Sequence, residues 1–156
     1  MTVKEIRAHR DWIQPNLKLA SRAAKYRDTP GFKVIVAGSR TFDVERVKDL
    51  VREHWRRALT LFGSNVSHVI SGACPTGADR AGEELALELT GREAVRFPAE
   101  WSRLGKAAGP SRNIDMATCA NALFLVWDGR SRGSRHMLAL MESRDRPVYE
   151  IEISSR

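Results

Sequence analysis

Val69-Ile70-Ser71-Gly72-Ala73-Cys74-Pro75-Thr76-Gly77-Ala78-Asp79-Arg80-Ala81-Gly82-Glu83-Glu84 is the stretch on which the reading of this chain turns. A short β-type run, Val66 to Ile70 with Ser67 and His68 inside it, breaks at Ser71-Gly72. A turn follows, and a helical pattern opens at Thr76. Thr76 with Asp79 three residues on fits an N-cap with an acidic partner in the first turn. Gly72 and Gly77 remove side chains where a backbone must turn sharply or let something approach closely. Strand, glycine turn and helix N-terminus together make a ready anion site, because free N–H groups and the helix dipole point outward there. A tight strand-to-helix turn with no ligand satisfies the same pattern, so the stretch speaks for architecture before it speaks for function.

On either side the same unit recurs. Lys33-Val34-Ile35-Val36-Ala37 reads as a buried first strand ended by Gly38-Ser39-Arg40. Asp43 is placed to cap a helix whose apolar positions, from Val44 and Val47 through Val51 and Trp55 to Phe62, form one stripe. After the central helix, with Ala78, Ala81, Leu85, Ala86 and Leu89 inward and Gly91 at its C-terminal cap, Ala94 to Phe97 makes a short third strand stopped by Pro98. An irregular polar segment from Ala99 to Gly109 carries Trp101, Arg103 and Lys106, and Pro110 suits the first position of a helix reaching Cys119. Ala122 to Trp127 is continuously apolar, as a strand covered on both faces should be. A last helix holds Met137, Leu138, Leu140 and Met141, and Pro147 to Ile153 closes the chain as an edge strand. Alternating strands and helices predict an α/β domain: a doubly wound parallel sheet of about five strands, order 3-2-1-4-5. The first helix is expected across the sheet from the second.

Composition sets the bounds. A chain of 156 residues with 42% apolar content supports one core with helices on both faces of a sheet. No apolar run approaches the roughly 20 residues needed to cross a bilayer. Lys4, Arg7, Arg10 and Asp11 interrupt any signal-peptide core. The expectation is a cytoplasmic protein with no membrane partner. Cys74, Cys119 and the four histidines are scattered, so no metal is expected. The net charge is +7, and residues 1–31 hold seven basic residues against three acidic ones. This basic N-terminal extension has a partial helical stripe through Trp12, Ile13, Leu17, Ala20, Ala23 and Ala24, interrupted by Pro15, with Asn16 as a cap for a second helix. Thr29-Pro30-Gly31 separates it from the main domain at 32–156. Such a balance favours polyanionic partners or phosphorylated ligands, and a solvated basic face is the commoner explanation of it.

In an open parallel sheet, ligands bind beyond the carboxyl ends of the strands, near the point where strand order reverses. The strand ends here read Gly38-Ser39-Arg40, Ser71-Gly72-Ala73, Phe97-Pro98 and Trp127-Asp128-Gly129, and the loops beyond add Lys106, Arg112, Asn113, Ser131 and Ser134. Helix N-termini with Arg and Lys side chains suit a phosphate, and Arg adds bidentate geometry. Ser39, Asp79, Asn113 and Asp128 suit ribose hydroxyls or base edges, and Trp101 or Trp127 suits stacking on a base. The spacing G-x-G-x-x-G is missing after the first strand, no G-x-x-x-x-G-K-[ST] occurs, and Gly38-Ser39 is no G-x-S-x-G elbow. No resident cofactor is expected.

Val34 to Arg40, Ile70-Ser71-Gly72-Ala73 with Gly77-Ala78-Asp79-Arg80, and Phe97-Pro98-Ala99-Glu100-Trp101 together resemble the YspA/YpsA-related branch of the SLOG superfamily. Gly105 to Pro110 with Arg112-Asn113, and Trp127-Asp128-Gly129 with Ser131, Gly133 and His136-Met137, extend the likeness over about Lys33 to Val148. SLOG is the Rossmann-like group that takes in the DprA/Smf DNA-processing proteins and the LOG phosphoribohydrolases. The resemblance implies a Rossmann-like domain binding a nucleotide or nucleotide derivative. Some relatives sense nucleotide signals in conflict systems of bacteria and phages, and others cleave nucleotides at the N-glycosidic bond. The chain departs from the phosphoribohydrolase pattern P-G-G-x-G-T-x-x-E: Ala78 follows Gly77, Ala81 stands at the position of the glutamate, and Glu83 and Glu84 come later. Ala73 stands where many members of the branch carry a second glycine.

The leading expectation is therefore a sensor or ligand-binding domain for an ADP-ribose-like molecule or a nucleoside phosphate. Gly38, Ser39 and Arg40 hold one end of the ligand. Gly72, Ala73, Thr76 and Gly77 offer backbone N–H groups to a phosphate, while Lys106, Arg112 and Asn113 neutralise charge. Asp79 and Asp128 take ribose or base contacts, with Trp127, Ser131 and Gly133 completing the rim. A second expectation is a nucleoside-phosphate N-glycosidase with Asp79 or Glu83 as the acid. A third is a DprA-like binder of single-stranded nucleic acid through the basic arm. A homo-oligomer, dimer or higher, is expected from the relatives and from the common use of symmetric dimers.

Overall fold

A computed structural model describes Thr2 and residues 18–154. Trp12, Ile13, Pro15 and Asn16 of the expected N-terminal stripe lie outside the described residues, as do Lys4, Arg7 and Arg10. The elements in order are α1 (Lys18–Asp28), β1 (Lys33–Gly38), α2 (Val44–Phe62), β2 (His68–Ser71), α3 (Gly77–Thr90) and β3 (Val95–Arg96). There follow α4 (Trp101–Leu104), a 3-10 turn (Gly105–Ala107), α5 (Ala108–Cys119), β4 (Ala122–Trp127), α6 (Arg132–Ser143) and β5 (Val148–Glu152).

The strands form one parallel sheet in the order β3-β2-β1-β4-β5, the doubly wound, Rossmann-like arrangement expected from the alternating pattern. β1 is central because Val34, Ile35 and Val36 have no polar side chain to hydrate, and all three are fully buried. Successive side chains leave opposite faces, so the period of two splits the core into two layers. Val34, Val36, Val69, Phe124 and Val126 meet α2 and α3 on one face. Ile35, Ala37, Ile70, Leu123 and Leu125 meet α1, α5 and α6 on the other. Burying a side chain such as Leu85 of α3 contributes about 1.5–3 kcal/mol. Small residues bring α3 close to the sheet: a Cβ on Gly82 would lie 2.8 Å from Cβ of Val36.

The expectation that the first helix lies across the sheet from the second is corrected: α2 and α3 share a face. The reason is the hand of the crossovers. β1–α2–β2 and β2–α3–β3 both step in the same direction along the sheet, and right-handed connections made in one direction stack on one side. The chain changes face only when it returns past β1 to β4, which puts α5 and α6 on the opposite layer.

Local differences have local causes. The segment from Ala99 to Gly109 holds α4 and the 3-10 turn, and α5 starts at Ala108, so Pro110 is its third residue and not its first. It still lies in the first turn, where a backbone N–H has no intrahelical acceptor to lose. β3 pairs through only two residues, Val95 with Ile70 and Arg96 with Ser71. The described part of the N-terminal extension is built into the core: Leu19 and Ala23 of α1 are buried in the layer with Phe97 and Ile114. The Tyr26 ring meets the His68 ring edge-on at 5.6 Å, and Nζ of Lys33 donates to Thr29 O at 2.7 Å. None of the described helices is long and apolar enough to cross a membrane.

Candidate functional site

At the end of β1 the backbone runs so close to β4 that a Cβ on Gly38 would sit 1.7 Å from Val126 O. The Ser39 N–H donates to that same oxygen at 3.1 Å, and Oγ of Ser39, itself buried, accepts from the Asp128 N–H at 3.2 Å. Ser39 thus ties the ends of β1 and β4 together from behind the site. Arg40, next in the chain, is exposed and reaches the surface of the cleft.

The β2–α3 turn is occupied by its own protein. The Ala73 N–H donates to Oγ of Ser71 at 3.0 Å, with Ala73 held at φ +63°. The Cys74 N–H donates to Oδ2 of Asp79 at 3.2 Å, and the Ala78 N–H to Ser39 O at 3.3 Å. Thr76 stands at the N-cap position but makes no side-chain capping bond, and the Asp79 carboxylate turns back onto the Cys74 N–H. Gly77, at φ +63°, is pressed under the β1 loop, where a Cβ would lie 2.3 Å from Ser39 O. Of the expected phosphate donors Gly72, Ala73, Thr76 and Gly77, the expectation is therefore corrected at Ala73, whose N–H is taken by Oγ of Ser71. The neighbouring Cys74 and Ala78 N–H groups are likewise taken within the protein.

The start of α6 is arranged differently. Asp128 accepts from the N–H groups of Arg130 and Ser131 at 2.9 and 3.0 Å, which shapes the loop and holds its carboxyl below the usual range. Ser131 caps the helix by accepting from the Ser134 N–H. Ser134 lines the cleft, and its Oγ is buried and has no hydrogen-bond partner. An orphaned buried hydroxyl is uncommon, because each such group forfeits its hydration without replacement. Gly133 beside it has open space where a Cβ would go.

α5 supplies the third wall. Arg112 donates through Nη1 to Gly72 O and Phe97 O, and through Nε to Oδ1 of Asn113 at 2.9 Å. Burial lowers the Arg112 pKa from its ordinary value, opposed by the nearby Asp79. Nδ2 of Asn113, buried, lies 3.4 Å from Gly133 O and 3.2 Å from Nδ1 of His136, whose pKa burial lowers. A Cβ on Gly72 would sit 2.8 Å from both Nη1 of Arg112 and Oδ2 of Asp79, so only glycine lets both flank the turn. Burial pushes the Asp79 carboxyl up to about 6, against the pull of Arg112, the Cys74 N–H and Arg40 and with a smaller push from Glu83.

These walls enclose a recess of about 60 Å³, floored by Met116 and Met137. A groove of about 310 Å³ adjoins it, sharing Arg40, Gly72, Cys74 and Arg112 and adding Trp101 and Pro98. Of the residues singled out from sequence, Gly38, Arg40, Gly72, Asp79, Arg112, Asn113, Ser131 and Gly133 line the recess, and Ala73 lines the groove. Others fall elsewhere. Thr76 and Lys106 are exposed and line neither cavity, and Gly77 is buried beneath the loop. Trp127 is buried, with Nε1 donating to Glu150 at 2.7 Å and the Arg135 guanidinium over its ring, so it offers no face to a ligand. Glu83 is engaged on both oxygens, by Oγ of Ser71 at 2.6 Å and by Nε of Arg96 at 3.1 Å. Asp79 is the carboxylate that remains at the recess.

Sequence reasoning names Ser134 only as a loop polar residue and passes over Cys74, which lines both cavities. A G-S pair opening the last helix is the available signal for Ser134. Among the described residues no group of three or more His, Cys, Asp or Glu side chains could hold a metal ion. Comparison with protein-family models, with curated proteins and with solved structures finds no match for this chain.

Proposed function

We propose that this domain binds a nucleotide or nucleotide derivative, holding its phosphate in the recess between β1, α5 and α6. The observation that carries the reading is Ser134: its Oγ is buried and unpartnered, and the residue lines a cavity with two arginines at its wall. A phosphate oxygen satisfies that hydroxyl, and the N-terminal dipole of the 12-residue α6 favours the negative charge. Arg40 and Arg112 supply the countercharge. The resemblance to the SLOG superfamily supports the same reading, as does the position of the recess at the β1/β4 switch point. A sensor or ligand-binding role in the cytoplasm fits these features best.

Calorimetry with AMP, CMP, ADP-ribose and ribose 5-phosphate tests this. Hydrogen bonds to charged groups contribute about 1.5–3 kcal/mol, so Ser134→Ala should weaken binding by about tenfold or more. Arg40→Ala should do the same. No binding of any phosphorylated ligand, or binding indifferent to both changes, rejects the proposal.

A second reading, a nucleoside-phosphate N-glycosidase, draws on one observation: Asp79 lines the recess with a carboxyl raised to about 6, in the range of a general acid. Free base released from AMP, CMP or NAD, and lost in Asp79→Asn, supports it. No release at high protein concentration excludes it.

A further inference from the structure

The recess is too small for a whole nucleotide. A water needs roughly 10–15 Å³ of such space, so the recess of about 60 Å³ takes a handful of waters or one phosphoryl group. Whatever is esterified to that phosphate must leave through the open side, and the adjoining groove shares four residues with the recess there. The groove has a more apolar character. It adds Pro75, Pro98, Ala99 and Trp101 to the residues that it shares with the recess.

Trp101 is 54% exposed, and a single exposed hydrophobic residue needs no functional explanation by itself. Its support does. The six-membered ring of the indole rests against the α5 backbone at Gly109, where a Cβ would approach Cη2 to 3.1 Å. Gly109 is buried in the first turn of α5, three residues before Arg112. The bare backbone lets the tip of the indole's six-membered ring abut α5, so the side chain is braced by its edge. Trp127, the other tryptophan available at this edge, is held in the core.

Resting on the phosphate reading above, we infer that the ligand is bipartite and that Trp101 is the stacking wall for its flat, aromatic part, a nucleobase. The anionic head enters the recess, and the sugar passes Arg40 and Cys74. The base then lies in the groove against the indole. Stacking recognises a π-face and not an edge pattern, so purines and pyrimidines both gain from it. Selectivity at this wall is for the presence of a base and only weakly for its identity.

The test compares AMP and CMP with ribose 5-phosphate, which has the same phosphate and sugar and no base. Measurements are made by calorimetry on the full chain and on Trp101→Ala, Trp101→Phe and Gly109→Ala. In the unaltered protein both nucleotides should bind about tenfold tighter than ribose 5-phosphate, the scale of one base stacked on an aromatic side chain. Trp101→Ala should bring that ratio close to one. Trp101→Phe should keep most of it, and Gly109→Ala, which displaces the indole without removing it, should fall between. A nucleotide preference that survives Trp101→Ala, or a ribose 5-phosphate affinity equal to that of AMP in the unaltered protein, overturns the inference and leaves the phosphate site standing. Absence of binding by all three ligands overturns both.

Discussion

The starts of α3 and α6 both lie at the carboxyl edge of the sheet, and both carry glycine and a small hydroxyl residue. At α3 the protein has used its donors on itself: Ser71, Asp79 and the Ser39 carbonyl accept from Ala73, Cys74 and Ala78. At α6 a cap is present, yet Oγ of Ser134 is left without a partner at the wall of a cavity. The first turn locks β1, β2 and α3 together, and the second leaves one buried hydroxyl without a partner. A strand–glycine–helix pattern is therefore compatible with either role, and which one a turn plays depends on what the neighbouring loops bring to it.

The sharpest way to break this comparison is to add a side chain at the glycine of each helix start. Gly77→Val puts a branched side chain at φ +63° and against Ser39 O, and it should destabilise the fold by about 3 kcal/mol or more. Gly133→Ala meets no atom and gains helix propensity, so its stability should be unchanged or higher by up to about 1 kcal/mol. Urea denaturation measures both. Comparable losses at the two positions would mean that the α6 start serves the fold no less than the α3 start does.

Asp79 joins the two regions, since its Oδ2 serves the α3 turn while its carboxyl faces the recess. Its folded pKa of about 6 lies above the ordinary 3.8, so between these values the folded state holds the proton more tightly than the unfolded state does. Stability gained from this proton is full below about pH 4 and is lost as pH rises through 6. The span corresponds to about 2–3 kcal/mol at most. Arg112, Arg40 and Glu83 are the charged groups that bear on it. Asp79→Asn should flatten that part of the stability–pH curve and raise stability above pH 6. An unaltered curve would show that Asp79 titrates as it does in the unfolded chain.

Thiol chemistry reads the recess without changing it. Cys119 is buried, and burial pushes its thiol up to about 12, whereas Cys74 lines both cavities. The folded protein should therefore react with a thiol reagent at one cysteine and the denatured protein at both. A saturating nucleotide should slow alkylation of Cys74 by about tenfold, in proportion to the fraction of sites filled. Alkylation at an undiminished rate would put the ligand elsewhere.

The sheet is legible because its signal is local: Lys33 to Ala37 and Ala122 to Trp127 are too apolar for anything but covered strands. Helix placement is less so, since the stripe from Val47 to Phe62 marks which side of α2 is buried and says nothing of which side of the sheet buries it. That information lies in the handedness of the crossovers, a property of the whole sheet and not of the stripe. At the site, Arg40, Gly72, Asp79 and Arg112 are readable as a shared rim because each sits just past a strand end or near the start of a helix at that edge of the sheet. Trp127 misleads because it ends a strand at that rim while its ring turns into the core. The occupied state of the α3 turn is not readable, because its acceptors at Ser39 and Asp79 arrive only on folding.

The smallest effect expected concerns the outer surface of α3. Arg52 of α2 makes paired contacts with Glu88 of α3 at 2.9 and 3.0 Å, and Lys48 reaches Glu84 at 3.1 Å. These contacts exist only because the two helices share a face. Exposed ion pairs contribute little, since water screens them and two long side chains must be ordered. A double-mutant cycle on Arg52→Ala and Glu88→Ala should nonetheless show a small favourable coupling at low ionic strength. It should vanish at about 1 M salt, where the Debye length falls to about 3 Å. A coupling of zero at low salt would mean that the pair is too well hydrated to add stability. A coupling that resists salt would mean the pair is less hydrated than its exposure implies. Neither change should alter nucleotide affinity, because the outer surface of α3 lies on the side of the helix away from the recess.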